Sequence, residues 1–198
     1  SSAASDVYKR QGLTGVPLGI DGFGTIIVDT AFGGDSFVVV DPASLGLSLG
    51  TEDAQKLAEL GVKITNAANE QLRFQHPLQP DWRHHSFCLF AGALEHGVDG
   101  LRAKSIVSIQ PGKLDRSPTG TAVSARMALL HAKGEMKVGD SLTGVSIIGS
   151  EFQGKILGET KVGDISAIRP QISGRGWVTG THQHLSLIHI SEPTRRRG

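Results

Sequence analysis

Cysteine is nearly absent from this chain: Cys88 is the only one in 198 residues. A lone thiol excludes a disulfide framework and a cysteine-built zinc cluster, and it suits a reducing cytoplasm. No carboxylate or cysteine recurs at ligand spacing around the adjacent His84 and His85, so no metal site is expected there and the pair reads as a solvated loop. No apolar run approaches the roughly 20 residues that span a bilayer, so no membrane partner is expected, and the lone cysteine gives the expectation of a cytoplasmic protein. Charge of one sign is also missing. The formal net charge is +1, which gives no basic surplus of the kind that nucleic-acid binding requires.

The two ends differ in kind from the rest. Asp6–Gln11 reads DVYKRQ and Leu185–Ile190 reads LSLIHI. The first can be encoded by the oligonucleotide GATGTGTATAAGAGACAG and the second by its reverse complement. The pair resembles a transposon-type sequencing adapter read in both directions. The expected organisation is therefore an adapter-like segment over 1–11, a truncated domain over 12–184 and a second adapter-like segment over 185–198, and both ends are set aside from fold reasoning. They carry +1 and +2, which takes the formal +1 of the chain to −2 for the remainder. That remainder is long enough for one domain with a hydrophobic interior.

Glycine is plentiful, at 26 residues, which fits turns between short strands. Gly22-Phe23-Gly24 precedes a β-branched run rather than a helix, so a dinucleotide fingerprint is discarded. Thr25–Asp29 and Phe37–Val40 read as strands joined by a hairpin at Gly33-Gly34-Asp35. Thr51 to Leu72 reads as an amphipathic helix with Thr51 as N-cap and an apolar face through Ala54, Leu57, Ala58 and Leu60, continued by Ile64, Ala67, Ala68 and Leu72. Gly61 weakens its middle. Pro77 and Pro80 mark a loop. Phe87–Phe90 alternates as a strand, with Cys88 a small core residue. Further strands are expected at Ala103–Ile109, Val145–Ile148, Phe152–Leu157, Ile165–Arg169 and Trp177–Thr179. No role is assigned to His182 or His184.

Between these elements lies Leu114-Asp115-Arg116-Ser117-Pro118-Thr119-Gly120-Thr121, a loop that turns into a helix. Ser117 is read as the N-cap and Pro118 as the first helical residue. The N–H groups of Thr119, Gly120 and Thr121 follow. Gly120 has no side chain to keep a ligand away, so this helix start suits a carboxylate or phosphate. The following helix is apolar on two rows, Val123, Met127 and Leu130 on one and Ala122, Ala125, Leu129 and Ala132 on the other, and so is expected to be buried in sheet. Gly134 closes it. Arg126 is read as structural.

Asp115 to Thr121 resembles the second active-site motif of the proline racemase family, which also holds hydroxyproline epimerases and trans-3-hydroxy-L-proline dehydratases. The likeness continues through Ser124–Gly134, Ile147–Lys155 and Gly158–Thr160, and upstream through Ala31–Gly34 and Ala67–Gln71. In the family's racemases and epimerases the fifth residue of the motif is cysteine, and here it is Thr119, as in the dehydratase branch. The resemblance implies an α/β (α+β) fold in which a curved mixed sheet wraps a central helix, one half of the two-domain proline racemase/diaminopimelate epimerase-like architecture. It implies a cofactor-independent lyase that eliminates water from trans-3-hydroxy-L-proline, with the first catalytic domain and its cysteine missing and the fragment alone inactive. Thr119 is the catalytic-position residue. Asp115 would hold the ring ammonium, with helix capping or a pair with Arg116 as its alternatives, and Gly120 and Thr121 would bind the carboxylate. The partners implied are hydroxyproline and the missing domain, and a homodimer is left open. Rival readings are a proline racemase or 4-hydroxyproline epimerase, which Thr119 opposes, and a non-catalytic amino-acid-binding domain.

Overall fold

The computed structural model describes residues 12–98 and 100–183. The adapter-like stretches and His184 lie outside the described residues. Among those residues, ten strands form one sheet and two α-helices pack on it. The strands are β1 (Val16–Ile20), β2 (Gly24–Phe32), β3 (Ser36–Val40), β4 (Phe87–Ala91), β5 (Glu95–Gly97), β6 (Gly100–Ile109), β7 (Lys113–Leu114), β8 (Ser141–Val145), β9 (Glu151–Val162) and β10 (Ile165–Gly174). The helices are α1 (Ala54–Gln71) and α2 (Gly120–Ala132).

The main path runs β1-β2-β3-β4-β6-β8-β9-β10, with β5 and β7 paired to β6. Neighbours are antiparallel except β3/β4 and β6/β8. A parallel pair needs a long crossover, and the chain supplies α1 for the first and α2 for the second. Strands β3 and β4 lie between both helices, so they are apolar on both faces. Val38, Val40, Cys88 and Phe90 join the core under α1. Phe37, Val39, Leu89 and Ala91 face the other way and pack with Ala122, Ala125 and Leu129 of α2. The opposite row of α2, Val123, Met127 and Leu130, meets Leu142 of β8 and Ile156 of β9. The sheet thus curls around α2, as the two apolar rows require.

Close approach is made by small residues. A Cβ on Gly144 would stand 2.6 Å from Val123 Cγ2, and one on Gly154 2.7 Å from Met127 Cε. Gly61 plays the same part on α1, where a Cβ would fall 2.2 Å from Ser108 Cβ. It therefore seats β6 against the helix and is not merely a weak point. At the end of α2, Gly134 takes φ 77°. Its N–H donates to the His131 carbonyl at 3.0 Å, and that of Glu135 to Leu130 at 2.8 Å, the paired bonds of a Schellman ending.

Several sequence expectations are corrected. Thr51 does not cap α1: residues Thr51–Asp53 form a 3-10 turn entered from Gly50, and no side chain caps either segment. The strand placed at Val145–Ile148 ends at Val145 and begins earlier, at Ser141, because Ser146–Ser150 closes a hydroxyl-bonded turn. Trp177–Thr179 is not a strand, and Trp177 is 80% exposed with no sheet neighbour to pair with. His85 is not solvated. It is buried, its backbone N–H bonded to Asn69 Oδ1 at 2.6 Å and its ring beside Phe74. No helix among the described residues is long and apolar enough to cross a membrane.

Candidate functional site

The segment from Leu114 to Thr121 leaves β7, turns, and enters α2. The turn is built on one carboxylate. Asp115 Oδ1 accepts bonds from the Ser117 N–H at 2.9 Å and the Ser117 hydroxyl at 3.1 Å. Its Oδ2 accepts the Thr119 hydroxyl at 2.6 Å. Ser117 Oγ in turn accepts the Thr119 N–H at 3.1 Å. This is an Asx-type turn followed by a serine turn, and it displaces the expected cap. Ser117 is not the N-cap and Pro118 is not in the helix. Thr119 is the N-cap, and its carbonyl accepts the Val123 N–H at 2.9 Å.

Thr119 is also the one non-glycine residue with positive φ among those described, at φ 60°. A threonine held there stores roughly 1–3 kcal/mol of strain, which the Asp115 bond and the helix start must hold. Behind Thr119 the N–H groups of Gly120, Thr121 and Ala122 have no preceding carbonyl in the helix. They supply the positive end of the helix dipole. The helix start brings Gly120 and Thr121 together as donors, with Thr119 bonded to Asp115 directly before them. Asp115 makes no ion pair with Arg116 among the described residues. Its carboxylate is engaged by the turn.

Two other loops fix this start. On one side, the β2–β3 turn presses on it: a Cβ on Gly33 would lie 2.2 Å from both the Thr121 carbonyl oxygen and the Ala125 nitrogen, and one on Gly34, at φ 102°, 3.2 Å from Thr121 Cγ2. On the other side, the Ser150 hydroxyl donates to the Arg116 carbonyl at 3.1 Å. A groove of about 1250 Å³ runs past Arg116 and Ser117 toward Phe152 and Trp177. The hairpin expected at Gly33-Gly34-Asp35 touches the helix start, a contact that the local turn signal does not contain. The two adjacent glycines were the available signal. Ser150 gave none, since its contact spans 34 positions.

Other reactive side chains stand apart. Cys88 is fully buried between the helices, and burial pushes its thiol well above the usual range. It is a core residue, as its alternating strand implies, and no nucleophile. Arg126 lies further along α2 and is buried. No cluster of histidine, cysteine or carboxylate side chains that could hold a metal occurs among the described residues.

A family model described as proline racemase matches residues 7–194. Among solved structures, the chain is similar to a probable proline racemase from Agrobacterium radiobacter K84 determined with bound carbonate. That match has 34% identity and a TM-score of 0.76, and it covers 88% of this chain and 50% of that one. It is similar also to a hydroxyproline epimerase from Agrobacterium vitis determined with bound trans-4-OH-L-proline, at 35% identity and TM-score 0.73, covering 86% of this chain and 52% of that one. The chain spans about half the length of these two proteins.

Proposed function

The chain belongs to the proline racemase family and has the fold of one half of its two-domain architecture, and we propose that it is the second half of a trans-3-hydroxy-L-proline dehydratase of the cytoplasm. The observation that carries the reading is Thr119, a threonine where the family's racemases and epimerases have cysteine. Inverting Cα needs an acid–base group on each face of that carbon. A thiol of pKa near ~8.5 can serve, whereas a threonine hydroxyl is far too weak an acid. Here the hydroxyl also donates its proton to Asp115 at 2.6 Å, which leaves it only lone pairs to offer a ligand.

Dehydration has a simpler demand. In trans-3-hydroxy-L-proline the carboxylate and the hydroxyl are on opposite faces of the ring, so the Cα–H and the hydroxyl share a face. One thiolate, on the first half of the protein, can take the Cα proton. The electron pair forms the Cα–C3 double bond, the C3–O bond breaks, and the new thiol returns the proton to the departing hydroxide. Water leaves, and the enamine tautomerises to pyrroline-2-carboxylate. Thr119 would accept a hydrogen bond from the far side of the ring. Gly120 and Thr121 N–H groups would take the carboxylate, which delocalises charge developing at Cα. Asp115 would accept the ring ammonium while still bracing the turn.

The test joins this chain to the first half of a homologous protein that carries its cysteine and supplies trans-3-hydroxy-L-proline. Appearance of the cyclic imine is expected, and the chain alone should form none. Interconversion of hydroxyproline or proline epimers without imine would favour the racemase or epimerase reading instead.

A further inference from the structure

The far half of α2 borders a second cavity, of about 1250 Å³, walled by Val39 of β3, Ala91 of β4 and Leu129 and rimmed by charged side chains. Its buried charge is Arg126, 7% exposed. One guanidinium nitrogen, Nη2, donates to the Gly92 carbonyl at 2.5 Å, while Nε has no partner among the described residues. Burial opposes the charged form, and the more distant Glu135, Asp41 and Asp29 favour it. None of these three is in ion-pair contact with it. Asp29 is held by Lys133 Nζ at 2.6 Å and by the Gly15 N–H at 2.8 Å, and Asp41 caps Ala43 at 3.0 Å. A buried cation with one neutral acceptor is costly unless an anion meets it.

We propose that this cavity binds a small organic monocarboxylate with an apolar body. Nε is sealed from the cavity, so the terminal edge of the guanidinium, Nη1 with the second hydrogen of Nη2, would meet a carboxylate in two parallel bonds, and Val39, Ala91 and Leu129 would receive the apolar part. Beside the Asp29–Lys133 pair, the lining sets Asp41, Glu95 and Glu135 against Arg126 and Lys104, a slight negative excess that disfavours the second charge of phosphate and dicarboxylates. The cavity is separate from the helix start, since Arg126 lies about 10 Å along the axis from Thr119 at 1.5 Å per residue. It does not depend on the dehydratase reading.

The test is a titration of the isotope-labelled full chain, followed by backbone NMR, with 3-methylbutanoate, its neutral isostere 3-methylbutanol, and inorganic phosphate. Saturable shifts centred on Ala91, Gly92 and Leu129 are expected with the carboxylate. The alcohol should bind at least about tenfold more weakly, as loss of a charge-assisted pair implies, and phosphate should not saturate these signals. Arg126→Met should abolish the shifts and Asp115→Asn should leave them unchanged. Equal binding of acid and alcohol, undiminished binding by Arg126→Met, or shifts confined to Thr119–Thr121 would overturn the proposal. If Arg126→Met does not fold, the acid–alcohol comparison on the unmutated chain decides alone.

Discussion

Replacing Asp115 by alanine separates the turn from the helix it introduces. The carboxylate accepts bonds from Ser117 N–H, Ser117 Oγ and Thr119 Oγ1. The turn is only half-buried, so each bond is taken at the value of an ordinary intramolecular bond, about 1 kcal/mol, or roughly 3 kcal/mol together. Part of this is recovered. Without the Asp115 bond, Thr119 is free to leave φ 60° and release about 1–2 kcal/mol of strain. The net loss is then about 1–2 kcal/mol, or a fall in melting temperature of roughly 2–8 °C for a chain of this size. Asp115→Asn keeps an acceptor for Ser117 and should fall by less. Thr119→Gly loses one bond but needs no strain at positive φ, so it should be close to neutral. Thermal melts by circular dichroism on the three variants check this. If Asp115→Ala melts within 1 °C of the parent, or Thr119→Gly is the more damaging change, the carboxylate does not hold the turn and the account of the site is wrong.

Gly33→Ala should cost more than 1–3 kcal/mol of overpacking, because its Cβ meets backbone atoms of α2 at 2.2 Å that cannot rotate away; urea titration would show it, and an unchanged midpoint would contradict the packing. His85 is held neutral by burial first and by His84 second, down to about 4 from 6.5. The unfolded chain therefore takes up a proton before the folded one, so stability rises with pH across that window and is lost as pH falls from 6.5 toward 4, by up to about 1.4 kcal/mol per unit. His85→Phe should flatten the dependence of melting temperature on pH there, and an equally steep dependence in both would clear His85 of the effect. Removing Ser1–Gln11 and Leu185–Gly198 should leave the melt of the remainder cooperative, if the likeness of these ends to a sequencing adapter means that they were not selected to pack; loss of the cooperative transition would show that they do pack.

Much of the fold is legible because it follows from period and burial. The apolar run at Phe37–Val40 and the alternation at Phe87–Phe90 mark strands, and the two apolar rows after Thr119 announce a helix inside a curled sheet. What could not be read depends on distant partners. His85 looks like a loop residue until Asn69, 16 positions away, fixes its backbone. The start of α2 differs from the expected one for a sharper reason. Ser-Pro is a good N-cap and first residue by propensity, and a threonine at positive φ is a poor guess for any turn. The Asp115 bonds override both preferences. The Gly33 contact with Thr121 is likewise a tertiary fact that a hairpin signal does not contain.

The central claim is that Thr119 removes two-sided proton exchange and leaves elimination. It is tested most directly by the unmutated chain, joined to a cysteine-bearing first half, acting on L-proline in deuterated water. L-proline has no 3-hydroxyl to expel, so only exchange at Cα can be seen. One-base chemistry predicts deuterium at Cα with retention of configuration and no build-up of D-proline, while the same preparation converts trans-3-hydroxy-L-proline to pyrroline-2-carboxylate. Accumulation of deuterated D-proline with Thr119 in place would contradict the claim and make the protein an isomerase.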